Sequence, residues 1–146
     1  MNEPSRSRTI SDQPTGDPLL VVENLKTHFE IEAGMVKAVD GVSFTLDRGK
    51  TLGIVGESGS GKTVLSRSVM RLNLAPNVHT SGSVKYDGEE LLTKSSREMQ
   101  GYWGAEMAMV FQDPMTSLNS VVKIGRQLTE HLRYHMNISK KEARLQ

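Results

Sequence analysis

Gly56-Glu57-Ser58-Gly59-Ser60-Gly61-Lys62-Thr63 is the stretch on which the reading of this chain turns. It satisfies the pattern G-x-x-x-x-G-K-[ST] at every fixed position. Glycines permit positive φ and let main-chain N–H groups crowd an anion without a Cβ clash. Successive amides then form an anion-binding nest, and a helix starting here aims its positive dipole end at the same point. Lys62 adds a mobile full charge that can reach the β- and γ-phosphates of a nucleotide. The Thr63 hydroxyl suits Mg²⁺, which bridges phosphate oxygens. The eight residues are therefore expected to hold ATP with Mg²⁺. The competing reading is a glycine-rich turn that happens to end in Lys-Thr, and the flanks argue against it.

On the upstream side, Thr51-Leu52-Gly53-Ile54-Val55 reads as a short strand of the buried type, entered through a turn at Asp47-Arg48-Gly49-Lys50. Downstream, Leu65, Val69 and Leu72 fall at i, i+4 and i+7, one face of a helix expected to stop near Pro76. Further out, Leu19–Val22 and Val36–Leu46 carry strand patterns, joined through a hairpin connection at Glu30–Gly34. Ser83–Tyr86, closed by Asp87-Gly88, is a strand and turn, and Met107–Phe111 another buried strand. Val121, Ile124, Leu128 and Leu132 mark a later amphipathic helix. Ser139 followed three residues on by Glu142 is a capping box for one more.

Composition narrows the function classes. The 146 residues are 36% hydrophobic and 24% charged, with a formal net charge of +1. That balance offers no electrostatic reason to expect nucleic acid as a partner. No apolar run approaches the roughly 18–20 residues that cross a bilayer, so no direct membrane span is expected. There is no cysteine, hence neither a disulfide framework nor a thiolate metal site. Residues 1–18 are polar, hold three of the five prolines, and read as a disordered leader. His28, His79, His131 and His135 show no metal-ligand pattern and are taken as surface residues.

The loop alone leaves kinases, GTPases, helicases and transporter ATPases open. Three stretches narrow this: Ala38-Val39-Asp40-Gly41-Val42-Ser43-Phe44, then Val55 to Lys62, then Met109-Val110-Phe111-Gln112-Asp113-Pro114-Met115-Thr116-Ser117-Leu118-Asn119. Together they closely resemble ABC-transporter ATP-binding subunits, and within them the subgroup serving oligopeptide and dipeptide (in some members nickel) importers. The resemblance covers roughly residues 19–146. It implies an α/β fold: a P-loop NTPase core with an N-terminal antiparallel β-subdomain and the start of a helical subdomain.

What the resemblance implies for single residues follows position by position. Gln112 would be the Q-loop residue that helps hold Mg²⁺ with Thr63 and positions the attacking water; an ordinary polar residue at a strand end is the other reading. Phe29 resembles the aromatic that stacks on adenine, and strand core is its alternative. Where the family has proline after Leu118-Asn119, this chain has Ser120. The implied partners are transmembrane permease subunits and a second ATPase subunit, at the cytoplasmic face of the cell membrane. No Leu-Ser-Gly-Gly-Gln signature, Walker B strand or switch histidine is found in residues 1–146, so the expectation is a truncated chain that binds ATP and does not hydrolyse it alone. An inert or non-catalytic nucleotide-binding remnant and a P-loop phosphotransferase are the rival readings. The second of these would need an arginine-bearing lid, which Arg67, Arg71 and Arg97 do not form in sequence.

Overall fold

The computed structural model describes residues 17–111, 118–136 and 138–144, in two compact units, Met1–Thr93 and Lys94–Gln146. Most of the leader and Gln112 lie outside the described residues.

In the first unit, β1 (Leu20–Ile31), β2 (Gly34–Leu46), β3 (Val78–Tyr86) and β4 (Glu89–Glu90) form an antiparallel sheet in the order β2-β1-β3-β4. Ile31 pairs with Gly34, so Glu32-Ala33 is a two-residue loop where a hairpin connection was expected. At the other end, Asp87 and Gly88 both have positive φ (50° and 80°) between the paired Tyr86 and Glu89. Two positive φ values are what a tight hairpin turn matched to strand twist requires. Arg48 pairs with Asp87, tying the loop after β2 to this turn.

β1 is not a regular strand. Its register slips around Glu23 and Asn24, and Asn24 has φ 46°. The irregularity needs a glycine opposite: a Cβ on Gly82, which has φ 107°, would meet the Asn24 carbonyl oxygen at 2.5 Å. The bulge keeps Val22, Leu25 and Thr27 all inward, which strict alternation would not. These three are buried with Val39 and Val84 of the neighbouring strands.

Helix α1 (Lys62–Val69) packs on β1 and β2 and buries Leu65, Ser68 and Val69. It ends sooner than its pattern suggests. The Leu72 N–H donates to the Arg67 carbonyl at 2.8 Å and the Arg71 N–H to that of Ser68 at 3.0 Å. Arg71 sits at φ 53°. These two bonds and the left-handed residue make a Schellman ending. Leu72 therefore lies past the helix, and does not extend its apolar face.

Two strand expectations fail. Thr51–Val55 is neither paired nor buried: Leu52, Ile54 and Val55 are 41%, 45% and 94% exposed. Met107–Phe111 likewise contributes only a bridge from Met107 to Trp103, with Val110 96% exposed. An apolar run becomes a strand only where another strand supplies its hydrogen bonds, and among the described residues the sheet includes neither run.

The second unit holds α2 (Ser96–Met99), α3 (Ile124–His135) and a short 3₁₀ turn at Glu142–Arg144. Ser95 and Glu98 cap α2 reciprocally, a box not picked out in the sequence. The expected box at Ser139 and Glu142 is present, with both bonds made (2.9 and 3.3 Å), and it opens the 3₁₀ turn. Val121 precedes α3 and is not part of it. There Asn119 accepts from the Val121 N–H, and Gln127 bonds back to both the N–H and the carbonyl of Asn119. No described helix is long and apolar enough to cross a membrane.

Candidate functional site

Residues Gly56 to Gly61 leave no regular element and turn into the first residue of α1. Gly59 (φ 82°) and Gly61 (φ 87°) adopt the left-handed conformation that their sequence positions foretold. Gly61 is the residue before the helix, which has no side-chain cap and no acidic residue in its first turn. The N-terminal amides of α1 are thus left to an anion from outside. The first helical bond, Leu65 N–H to the Gly61 carbonyl, is 2.8 Å.

Lys62 dominates the geometry. Its ammonium donates to the Gly56 carbonyl (2.8 Å), the Glu57 carbonyl (2.6 Å) and Ser60 Oγ (3.2 Å). A turn bond from the Ser60 N–H to the Glu57 carbonyl (3.3 Å) closes the loop beneath it. A Cβ on Gly56 would lie 2.7 Å from Ser60 Oγ, so any larger residue there would displace the Ser60 hydroxyl from Lys62. The structure therefore brings Gly56, Glu57, Ser60 and Lys62 together around one ammonium. Thr63 is exposed on the first turn of α1. The donor set suits a polyphosphate with a divalent cation: a full positive charge, free helical amides, and an exposed hydroxyl at the helix start.

Two features of the loop's setting were not legible in the sequence. Ala38 has no partner on β1, because Thr27 pairs with Val39 and His28 with Lys37. This bulge in β2 places the Ala38 carbonyl against Gly61, where a Cβ would meet it at 2.3 Å. Second, Thr27 and Ser68, both essentially buried, are joined by a 2.7 Å hydrogen bond. Ser68 has one proton, donated to the Val64 carbonyl at 2.7 Å, so Thr27 is the donor of the pair. Asn73 Nδ2 also donates to Ser68 Oγ, at 2.9 Å. Nothing in sequence links positions 41 residues apart.

Phe29 is half-buried on β1, opposite Val36 and Val78. β1 and β3 stay in register from Thr27 to Phe29, so these two residues share a face, the one Thr27 turns to α1. His28 bonds to Asp40 (3.1 Å) and His79 to Glu30 (3.2 Å). The hydrogen bond from His28 holds the Asp40 carboxyl below its ordinary range, helped by the nearby Lys37. Among the described residues no group of three His, Asp or Glu could hold a metal ion.

Residues 39–146 match the ABC transporter family. A Brucella melitensis protein named "Putative peptide import ATP-binding protein" is 50% identical over 127 residues, 87% of this chain and 38% of the relative. An oligopeptide transport ATP-binding protein of Bacillus subtilis is 47% identical over 127 residues, 86% of this chain and 36% of the relative. The chain thus spans well under half the length of these relatives. Among solved structures, a dimeric ATP-binding cassette in a post-hydrolysis state, bound to ADP and Pi, superposes with a TM-score of 0.70 at 19% identity. The match covers 86% of this chain and 53% of that one, and at such identity it speaks for the fold. Motif, fold and relatives converge: this chain belongs to the ABC transporter family.

Proposed function

We propose that this chain is the ATP-binding part of an importer subunit that energises uptake of peptides across the cytoplasmic membrane. The observation that carries the nucleotide assignment is the loop itself, with left-handed glycines, an uncapped helix start and the Lys62 ammonium held at the Gly56 and Glu57 carbonyls. In this reading Gly56–Lys62 cradle the phosphates and Thr63 ligates Mg²⁺. Gln112 completes the metal shell, and Phe29 stacks on adenine. The bound cation would screen charge between phosphate oxygens. Lys62 would exchange its bonds to Glu57 and Ser60 for phosphate oxygens, trading neutral acceptors for charged ones.

The peptide assignment is supported by relatives near 50% identity that are named as peptide import and oligopeptide transport ATP-binding proteins. Permease subunits in the membrane and a second ATPase subunit are the partners this reading requires, at the cytoplasmic face. Two experiments test it. Calorimetric titration of the chain with ATP should show binding that needs Mg²⁺ and is markedly weakened in Lys62→Ala. Deleting the gene should abolish uptake of labelled peptides; intact peptide uptake with lost uptake of a sugar or a metal would overturn the substrate class.

A further inference from the structure

We infer that Thr27 and Ser68 are positioning residues that set the phosphate loop against the adenine-stacking strand; this rests on the nucleotide-binding reading of the loop and of Phe29. Thr27 lies two residues before Phe29 on the same face of β1, about 7 Å along the strand. Ser68 lies on α1, five residues beyond Thr63. The 2.7 Å bond between their hydroxyls is therefore a direct tie between the element that carries the aromatic ring and the element that carries the phosphate loop.

The chemistry of the tie is fully specified. Ser68 donates to Val64 and accepts from Thr27 and Asn73, which uses its one proton and both lone pairs. Two hydroxyls 0% and 2% exposed are costly to bury without such partners, so the pair accepts only one spacing of strand and helix. A solvent-open cleft of about 180 Å³ lined by Ser68, Asn73, Leu74 and Thr80 lies beside the cluster, so on that side the hydroxyl pair rather than close packing spaces helix from strand. ATP spans both subsites, whereas a phosphate chain without a base uses the loop alone. The tie should thus matter for ATP and not for tripolyphosphate.

The test uses the full chain with Thr27→Val, which keeps the shape and removes the donor, and Thr27→Ser, which keeps it. Calorimetry with Mg-ATP and with Mg-tripolyphosphate gives the ratio of the two affinities. In Thr27→Val the ratio should fall about tenfold, the equivalent of one buried hydrogen bond, with tripolyphosphate affinity within about twofold of the parent. Thr27→Ser should restore the ratio. If Thr27→Val weakens both ligands equally, or neither, or if Thr27→Ser behaves like Thr27→Val, the positioning role is refuted. A parent chain that binds neither ligand would instead refute the nucleotide reading beneath it, and one that binds both equally would remove the adenine subsite. Circular-dichroism melts of both variants identify loss of folding, in which case Ser68→Ala, which empties the other end of the tie, must show the same fall in ratio.

Discussion

The carbonyl oxygen of Ala38 faces Gly61 so closely that any Cβ at position 61 would sit 2.3 Å from it. Gly61 thus answers to two constraints, the left-handed backbone at φ 87° and the bulge of β2 beneath it. Gly61→Ala should destabilise the chain by about 2–4 kcal/mol, from the strained φ and the backbone clash together. Thermal denaturation followed by circular dichroism measures this, and an unchanged midpoint would show that β2 moves aside freely.

Lys62→Ala removes the only full positive charge in the loop and leaves the Gly56 and Glu57 carbonyls without their shared donor. ATP binding should weaken by roughly 1.5–3 kcal/mol, the scale of a charge-assisted contact. Titration of a fluorescent ATP analogue decides it. Affinity equal to the parent's would mean that the phosphates bind elsewhere.

Acid should loosen the β3–β4 hairpin. Burial raises the Glu90 carboxyl's affinity for protons, but hydrogen bonds from Ser83 (2.5 Å), the Leu92 N–H (2.9 Å) and the Val84 N–H (3.1 Å) outweigh it and hold Glu90 below its usual 4.5. A folded-state value below the unfolded one means stability that is full above pH 4.5 and declines as pH falls through the folded value. Glu90→Gln should lower stability near neutrality by about 1–2 kcal/mol and flatten the decline below pH 4.5. Denaturant melts between pH 3 and 7 provide the comparison, the pH range bracketing ordinary carboxylate titration; parallel curves for parent and variant would rule Glu90 out.

Residues Thr51–Val55 expose Leu52, Ile54 and Val55 without strand pairing. Amide hydrogens of this stretch should exchange rapidly while those of β1 and β3 are protected. The exposed apolar run should also make the chain prone to self-association, and Val55→Lys should raise its solubility. Hydrogen exchange by mass spectrometry and light scattering read the two effects. A protected 51–55 stretch in a monomer would contradict both.

What the sequence by itself determined is what short-range covalent geometry controls. The left-handed glycines of the 56–63 loop and its turn into α1 were legible because its glycines, lysine and threonine act within eight residues. The turn at Asp87-Gly88 and the reciprocal Ser139–Glu142 cap are local for the same reason. Alternation at Val42, Phe44 and Leu46 located β2, because one buried face selects its residues wherever the partner strand lies, whereas the apolar run Leu19–Val22 marked only the start of β1 (Leu20–Ile31). Tertiary structure alone decided the rest. Thr51–Val55 has the composition of a buried strand, but a strand exists only when another chain segment meets its hydrogen bonds, and composition does not report that meeting. The early end of α1 depended on Arg71 accepting a left-handed conformation that sequence assigns to glycine. The Ala38 bulge beneath Gly61 and the Thr27–Ser68 bond each join residues more than 20 apart. Such contacts are set by how helix and sheet pack, which no local propensity encodes.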